Sequence, residues 1–138
     1  MQYMEYENSE NGCDRVQFFD FFNSICNNHP HPWQLSLGLS TKITNRLIRI
    51  PTGFGKTHGV LAAWAWNRLV RCDESWPRRL VWCLPMRVLV EQTETSIREV
   101  LDKRGLLWDG SSDHRDKVGV HTLMGGTGQG DWHLHPEA

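Results

Sequence analysis

Apolar residues recur every three or four positions in "DRVQFFDFFNSI", where Phe18, Phe21, Phe22 and Ile25 fall on one face and predict an amphipathic helix docked on the rest of the domain. "NNHPHPWQ" breaks that pattern, because the residues before Pro30 and Pro32 are pushed away from helical geometry. Residues 1 to 12 are polar and gather Asn, Ser and Gly at their end, which predicts a loose leader ahead of a single domain over 13 to 138.

Downstream the pattern alternates. "RLIRI" (46–50) predicts a first strand, ended by Pro51, and "KTHGVLAAWAWNRLVR" (56–71) a helix with an alanine-rich middle. A turn at "CDESWPR" leads to a second strand, "RLVWCL" (79–84). Leu89, Val90, Ile97, Val100 and Leu101 then mark the apolar face of another helix, with Gly105 placed as its C-cap, and "KVGVHT" (117–122) predicts a third strand. Strands alternating with helices of this length point to an α/β fold, a parallel sheet flanked by helices. In such sheets ligands bind beyond the carboxyl ends of the strands, and "PTGFGKT" begins at one of these ends.

Composition narrows the class. The 138 residues suffice for one core and not for two full-sized domains. With 39% hydrophobic and 22% charged residues the chain reads as ordinary globular protein, although seven tryptophans is high. Fifteen Lys and Arg against sixteen Asp and Glu give a net charge of −1, so contact with nucleic acid has to be local. No apolar run is long enough for a membrane span, and the N-terminus lacks a secretory pattern, so a cytoplasmic protein without membrane contact is expected. Cys13, Cys26, Cys72 and Cys83 form no C-x-x-C pair, which suits reduced thiols; a zinc site from Cys13, Cys26, His29 and His31 fits no familiar ligand spacing.

The chemistry concentrates in residues 52 to 57. Gly53 and Gly55 permit positive φ, so that the successive amides of Thr52, Gly53, Phe54 and Gly55 form a nest for an anion. Lys56 supplies a mobile cation for the β- and γ-phosphates and is the candidate catalytic residue, and Thr57 supplies a hydroxyl for Mg2+. A helix beginning at Lys56 adds its positive dipole end. ATP and Mg2+ are the expected cofactors. The competing structural reading is a tight strand-to-helix turn. Ile50 stands where the pattern G-x-x-x-x-G-K-[ST] has its first glycine.

"PTGFGKT" is similar to the loop of superfamily 2 helicases and translocases, which lacks that first glycine. The resemblance implies an upstream glutamine that reads adenine through its amide, and Gln34 in "HPWQ" fills the place, with Trp33 beside it as a core residue or an adenine platform. "LPMRVLVEQT" (84–93) resembles the motif that grips a nucleic-acid backbone, with Arg87 and Gln92 as its contacts; the plainer reading of Arg87 is a solvated side chain at a helix start.

From about Phe18 onward, "PWQ", "RIPTGFGKT", "LPMRVLVEQT" and "HTLMGG" resemble, in order, the start of the helicase subunit of type I CRISPR systems. Gly125 and Gly126 match the glycine pair whose bare backbone approaches the tracking strand, and "GDWHLHPEA" resembles the stretch before the next strand in one branch of that family. The resemblance implies an incomplete, N-terminal part of the first RecA-like P-loop motor lobe, with single-stranded DNA and the CRISPR surveillance complex as partners. The Asp-Glu pair of motif II and the arginine finger of a second lobe are then expected in a C-terminal remainder of the same polypeptide. Asp73 and Glu74 precede the backbone-gripping motif and read as a solvated turn, His133 and His135 as exposed, and no His-Asp nuclease dipeptide occurs. Such a fragment is expected to bind nucleotide weakly and to hydrolyse it hardly at all. Two other readings stand beside this one: a P-loop phosphotransferase, and a non-catalytic nucleic-acid-binding module.

Overall fold

The computed structural model describes residues 9–110 and 117–125, with side chains from Gly12. Their regular structure is helical: α1 (Ser9–Cys26), α2 (Pro32–Gly38), α3 (Lys56–Ala65) and α4 (Arg87–Asp102). Helix α1 starts at Ser9, inside the polar leader, and buries Phe18, Phe21, Phe22 and Ile25, the stripe that the spacing marks. Helix α2 occupies "PWQLSLG", where the two prolines argue for a break. Pro32 sits in its first turn, where the missing N–H costs nothing and the fixed φ favours the helix.

The alanine-rich middle of α3 lets it run through the core: Leu61, Ala62, Ala63, Trp64 and Ala65 are all buried. It continues as a π-helical turn over Trp66–Val70, closed by a 2.9 Å bond from Arg71 N–H to the Trp66 carbonyl. The wider turn brings Asn67 fully inside, where its amide nitrogen donates to the carbonyls of Gly38 (2.7 Å) and Ala63 (2.9 Å). Trp66 packs edge-on against Phe18, ring centroids 5.8 Å apart, and Trp76, Val100 and Leu101 complete the core. Trp64 donates its indole N–H to the Pro77 carbonyl at 2.8 Å.

Helix α4 ends as its glycine foretells. Gly105 has φ 64°, its N–H donates to the Asp102 carbonyl, and Leu106 N–H reaches back to Leu101, both at 2.9 Å, which is a Schellman closure.

The expected α/β architecture, a RecA-like parallel sheet flanked by helices, is contradicted. Among the described residues the single β contact is an isolated parallel bridge between Leu107 and Val118, held by Trp108 N–H to Val118 O (2.9 Å) and Val118 N–H to Leu106 O (2.7 Å). The three segments expected as strands lie outside any helix and join in no ladder. Their alternation is real: Leu80 and Trp82 pack on the core while Val81 is 78% exposed, Val118 and Val120 pack inward, and Leu47 is 79% exposed. Alternation fixes which side chains face a core, whereas a sheet also needs neighbouring backbones in register. Here the helices cover the inward residues instead.

Close packing of the helices depends on glycine at one point above all. A Cβ on Gly38 would lie 2.1 Å from Cζ of the fully buried Phe18. Gly38→Ala is therefore expected to destabilise the chain by about 1–3 kcal/mol through overpacking, read as a lower urea midpoint at unchanged m-value.

Candidate functional site

The glycine-rich loop runs into the start of α3 and is hydrogen-bonded to the start of α2 through Gln34. Gly53 and Gly55 have φ of 89° and 67°, the left-handed conformations for which glycine is suited. Among the described residues, the backbone amides from Thr52 through His58 donate to no carbonyl at hydrogen-bonding geometry; the first bond of the helix runs from Gly59 N–H to the Gly55 carbonyl at 2.8 Å. No side chain caps α3. A run of unspent N–H groups thus meets a helix N-terminus, an arrangement that attracts an anion.

Lys56 bends over this loop, its Nζ donating to the carbonyls of Ile50 (2.6 Å) and Pro51 (2.9 Å). Both acceptors are neutral, so a phosphate oxygen would compete well for the ammonium. Thr57 follows, half-buried, and Thr52 is exposed. The structure brings Thr52, Gly53, Phe54, Gly55, Lys56 and Thr57 into one continuous element, as their adjacency in sequence requires.

Gln34 does reach this loop, and in a role that the sequence alone does not reveal. It is 2% exposed; its Oε1 accepts from His31 N–H at 2.7 Å and its Nε2 donates to the Gly55 carbonyl at 3.0 Å. The contact is tight, since a Cβ on Gly55 would stand 2.9 Å from that Nε2. Trp33 and Gln34 also press on α3 where Gly59 leaves room, a Cβ there falling 2.4 Å from the Trp33 ring. The readable signal for this arrangement is the capping spacing itself, a glutamine three residues after the residue that precedes the helix. His31 also meets Phe54, ring centroids 5.4 Å apart.

The second group of expected residues lies along α4. Arg87, at its first position, donates through Nη2 to the carbonyl of Gly125, so two residues assigned to nucleic-acid contact converge. Gly126 lies outside the described residues, as do His133 and His135. Gln92 is five positions along, about 140° around the helix from Arg87. It lines a shallow groove of about 360 Å³ with Glu91, Thr95, Ser96 and Glu99, and two carboxylates there oppose a phosphate backbone.

Residues 117–125 run antiparallel to α4. Arg98 donates to the Val120 carbonyl at 2.7 Å and to Glu94 at 2.9 Å, and the Thr122 hydroxyl donates to Glu94. The Thr122 bond, with Arg98 adding to it, holds the Glu94 carboxyl below its usual range.

Neither metals nor cysteine chemistry mark another centre: among the described residues no group of three His, Cys, Asp or Glu stands close enough to hold a metal ion. Burial pushes the Cys26 thiol up to about 11, which makes it inert at neutral pH. No helix of the described residues is long and apolar enough to cross a membrane. Comparison with protein-family models, with curated proteins and with solved structures finds no match.

One titratable contact ties the loop's helix to α4. His58 Nε2 lies 2.9 Å from the Ser96 hydroxyl, and burial, reinforced by Lys103, lowers the imidazole pKa from 6.5. The folded state therefore binds fewer protons than the unfolded chain between the lowered value and 6.5, and stability contributed by neutral His58 is lost as pH falls below 6.5. Urea midpoints measured from pH 8 to pH 5 are expected to fall on the acid side, and His58→Gln is expected to flatten that limb.

Proposed function

We propose that residues 52–57 hold the phosphate tail of ATP with Mg2+, and that the chain is the nucleotide-binding part of an ATP-dependent DNA helicase or translocase, of the kind recruited to a CRISPR surveillance complex. The observation that carries the nucleotide reading is the unbroken run of free amides from Thr52 to His58, bent by two positive-φ glycines onto the uncapped start of α3. Seven N–H groups without an acceptor among the described residues, beside a lysine within reach, complement several anionic oxygens better than they complement a neutral ligand. Thr57, directly after the lysine, supplies the hydroxyl for the metal.

The DNA part of the reading is supported by Arg87 and by the order of motifs along the chain. Arg87 and the Gly125 backbone occupy one exposed point at the start of α4, which suits a sequence-blind contact with a phosphate and a close approach of the strand. In this reading Lys56 neutralises charge on the γ-phosphate, Thr57 orients the metal, and the carboxylates that position the attacking water come from elsewhere in the polypeptide.

Binding of ATP with Mg2+, followed by calorimetry, is expected to weaken about 10- to 100-fold in Lys56→Ala, the loss of one charge-assisted contact. Unchanged affinity would leave the loop as a structural turn. For DNA, anisotropy of a labelled single-stranded oligonucleotide is expected to show weaker binding in Arg87→Ala, with the slope of log K against log salt reduced by about 0.7, one phosphate's share. A slope unaffected by the substitution would remove Arg87 from the interface, and ATP affinity indifferent to DNA would favour a phosphotransferase.

A further inference from the structure

His31 and Phe54 meet on the solvent side of the loop. Their ring centroids are 5.4 Å apart and their planes inclined by 41°. His31 is exposed and Phe54 is 46% exposed, although a phenyl group gains by burial. Phe54 stands between Gly53 and Gly55, both at positive φ, so the backbone conformation holds the ring out beside the free amides rather than into the core. Directly behind the pair, both ends of the Gln34 carboxamide are occupied. Its oxygen takes the His31 N–H at 2.7 Å, its nitrogen gives to the Gly55 carbonyl at 3.0 Å, and the residue is 2% exposed. A base edge seeking that amide would have to reach a group closed off from solvent, and so displace the loop from α2.

We propose that the base of the bound nucleotide stacks on the Phe54 and His31 rings, that Gln34 is a positioning residue for the loop, and that the site accordingly takes ATP and GTP alike. The inference rests on the triphosphate reading of the loop. Stacking needs only a π-face, which every base presents, whereas discrimination between adenine and guanine needs a free donor and acceptor at the base edge. The amide that would supply them is buried and already bonded to backbone through both its oxygen and its nitrogen.

The test is a calorimetric titration of the full chain, with Mg2+, by ATP, GTP and inorganic tripolyphosphate. The unsubstituted chain is expected to bind ATP and GTP within about threefold of each other, a difference under 1 kcal/mol. Phe54→Ala is expected to weaken both nucleotides about tenfold and to leave tripolyphosphate unchanged, and Phe54→Trp to restore both. Because Phe54 lies outside the core, circular dichroism of the variants should match the parent. If Phe54→Ala leaves ATP and GTP unchanged while Lys56→Ala still weakens tripolyphosphate, the stacking proposal fails and the phosphate loop stands. A preference for ATP above tenfold that Gln34→Glu abolishes would return the base to Gln34 and overturn the proposal. Failure of tripolyphosphate and both nucleotides to bind the unsubstituted chain would remove the phosphate reading and the stacking with it.

Discussion

The loop at residues 52–57 keeps its shape because the Gln34 carboxamide, closed off from solvent between α2 and α3, links the His31 N–H to the Gly55 carbonyl. A buried amide left unpaired costs about 1–3 kcal/mol, so every loop conformation that breaks this bridge without water entering is disfavoured by that amount. The bridge demands a particular set of neighbours. Pro32 starts α2, which puts Gln34 one turn in; Gly55 has no Cβ to collide with the amide; Gly59 lets the Trp33 ring and Gln34 lie on the backbone of α3. Through these contacts the N-terminus of α3 is aimed away from the core, with its amides unspent.

A second amide repeats the device at the other end of the pair. Asn67, buried by the π-helical turn, donates to the Gly38 carbonyl at the end of α2. Helices α2 and α3 are thus tied at both ends by carboxamides bonded to backbone, in each case to a glycine carbonyl; at Gly55 the missing side chain also makes room for the amide, whereas at Gly38 it makes room for the Phe18 ring. The two bonds fix the glycine-rich loop relative to α2. The cost of placing two polar groups in the core is offset because the bonds that define the geometry also satisfy the groups.

Helix α4 is joined to α3 by the His58–Ser96 contact and by burial of Val100 and Leu101. Along its outer side the segment 117–125 is held by Arg98, Glu94 and Arg87, two of which accept or donate to more than one partner. The Arg87 bond to Gly125 is exposed, and exposed charge contacts contribute little to stability, so the guanidinium can exchange this carbonyl for another acceptor at small cost.

Much was determined by the sequence itself, because it is local. The apolar stripe of α1, the helical character of 56–65 and 87–102, the left-handed glycines 53, 55 and 105, and the continuity of the glycine-rich loop all follow from spacing and from what each residue permits its own backbone. Non-local contacts were decided only in the tertiary structure. Alternation in "RLVWCL" and "KVGVHT" states which residues turn inward, and is silent on whether the cover is another strand or a helix; here helices provide it, and the expected sheet is not formed among the described residues. In the same way a glutamine after an aromatic residue announces an amide without naming its partners. The fold gives both ends of that amide to backbone, His31 on one side and Gly55 on the other, because a buried polar group takes the nearest bonds that satisfy it.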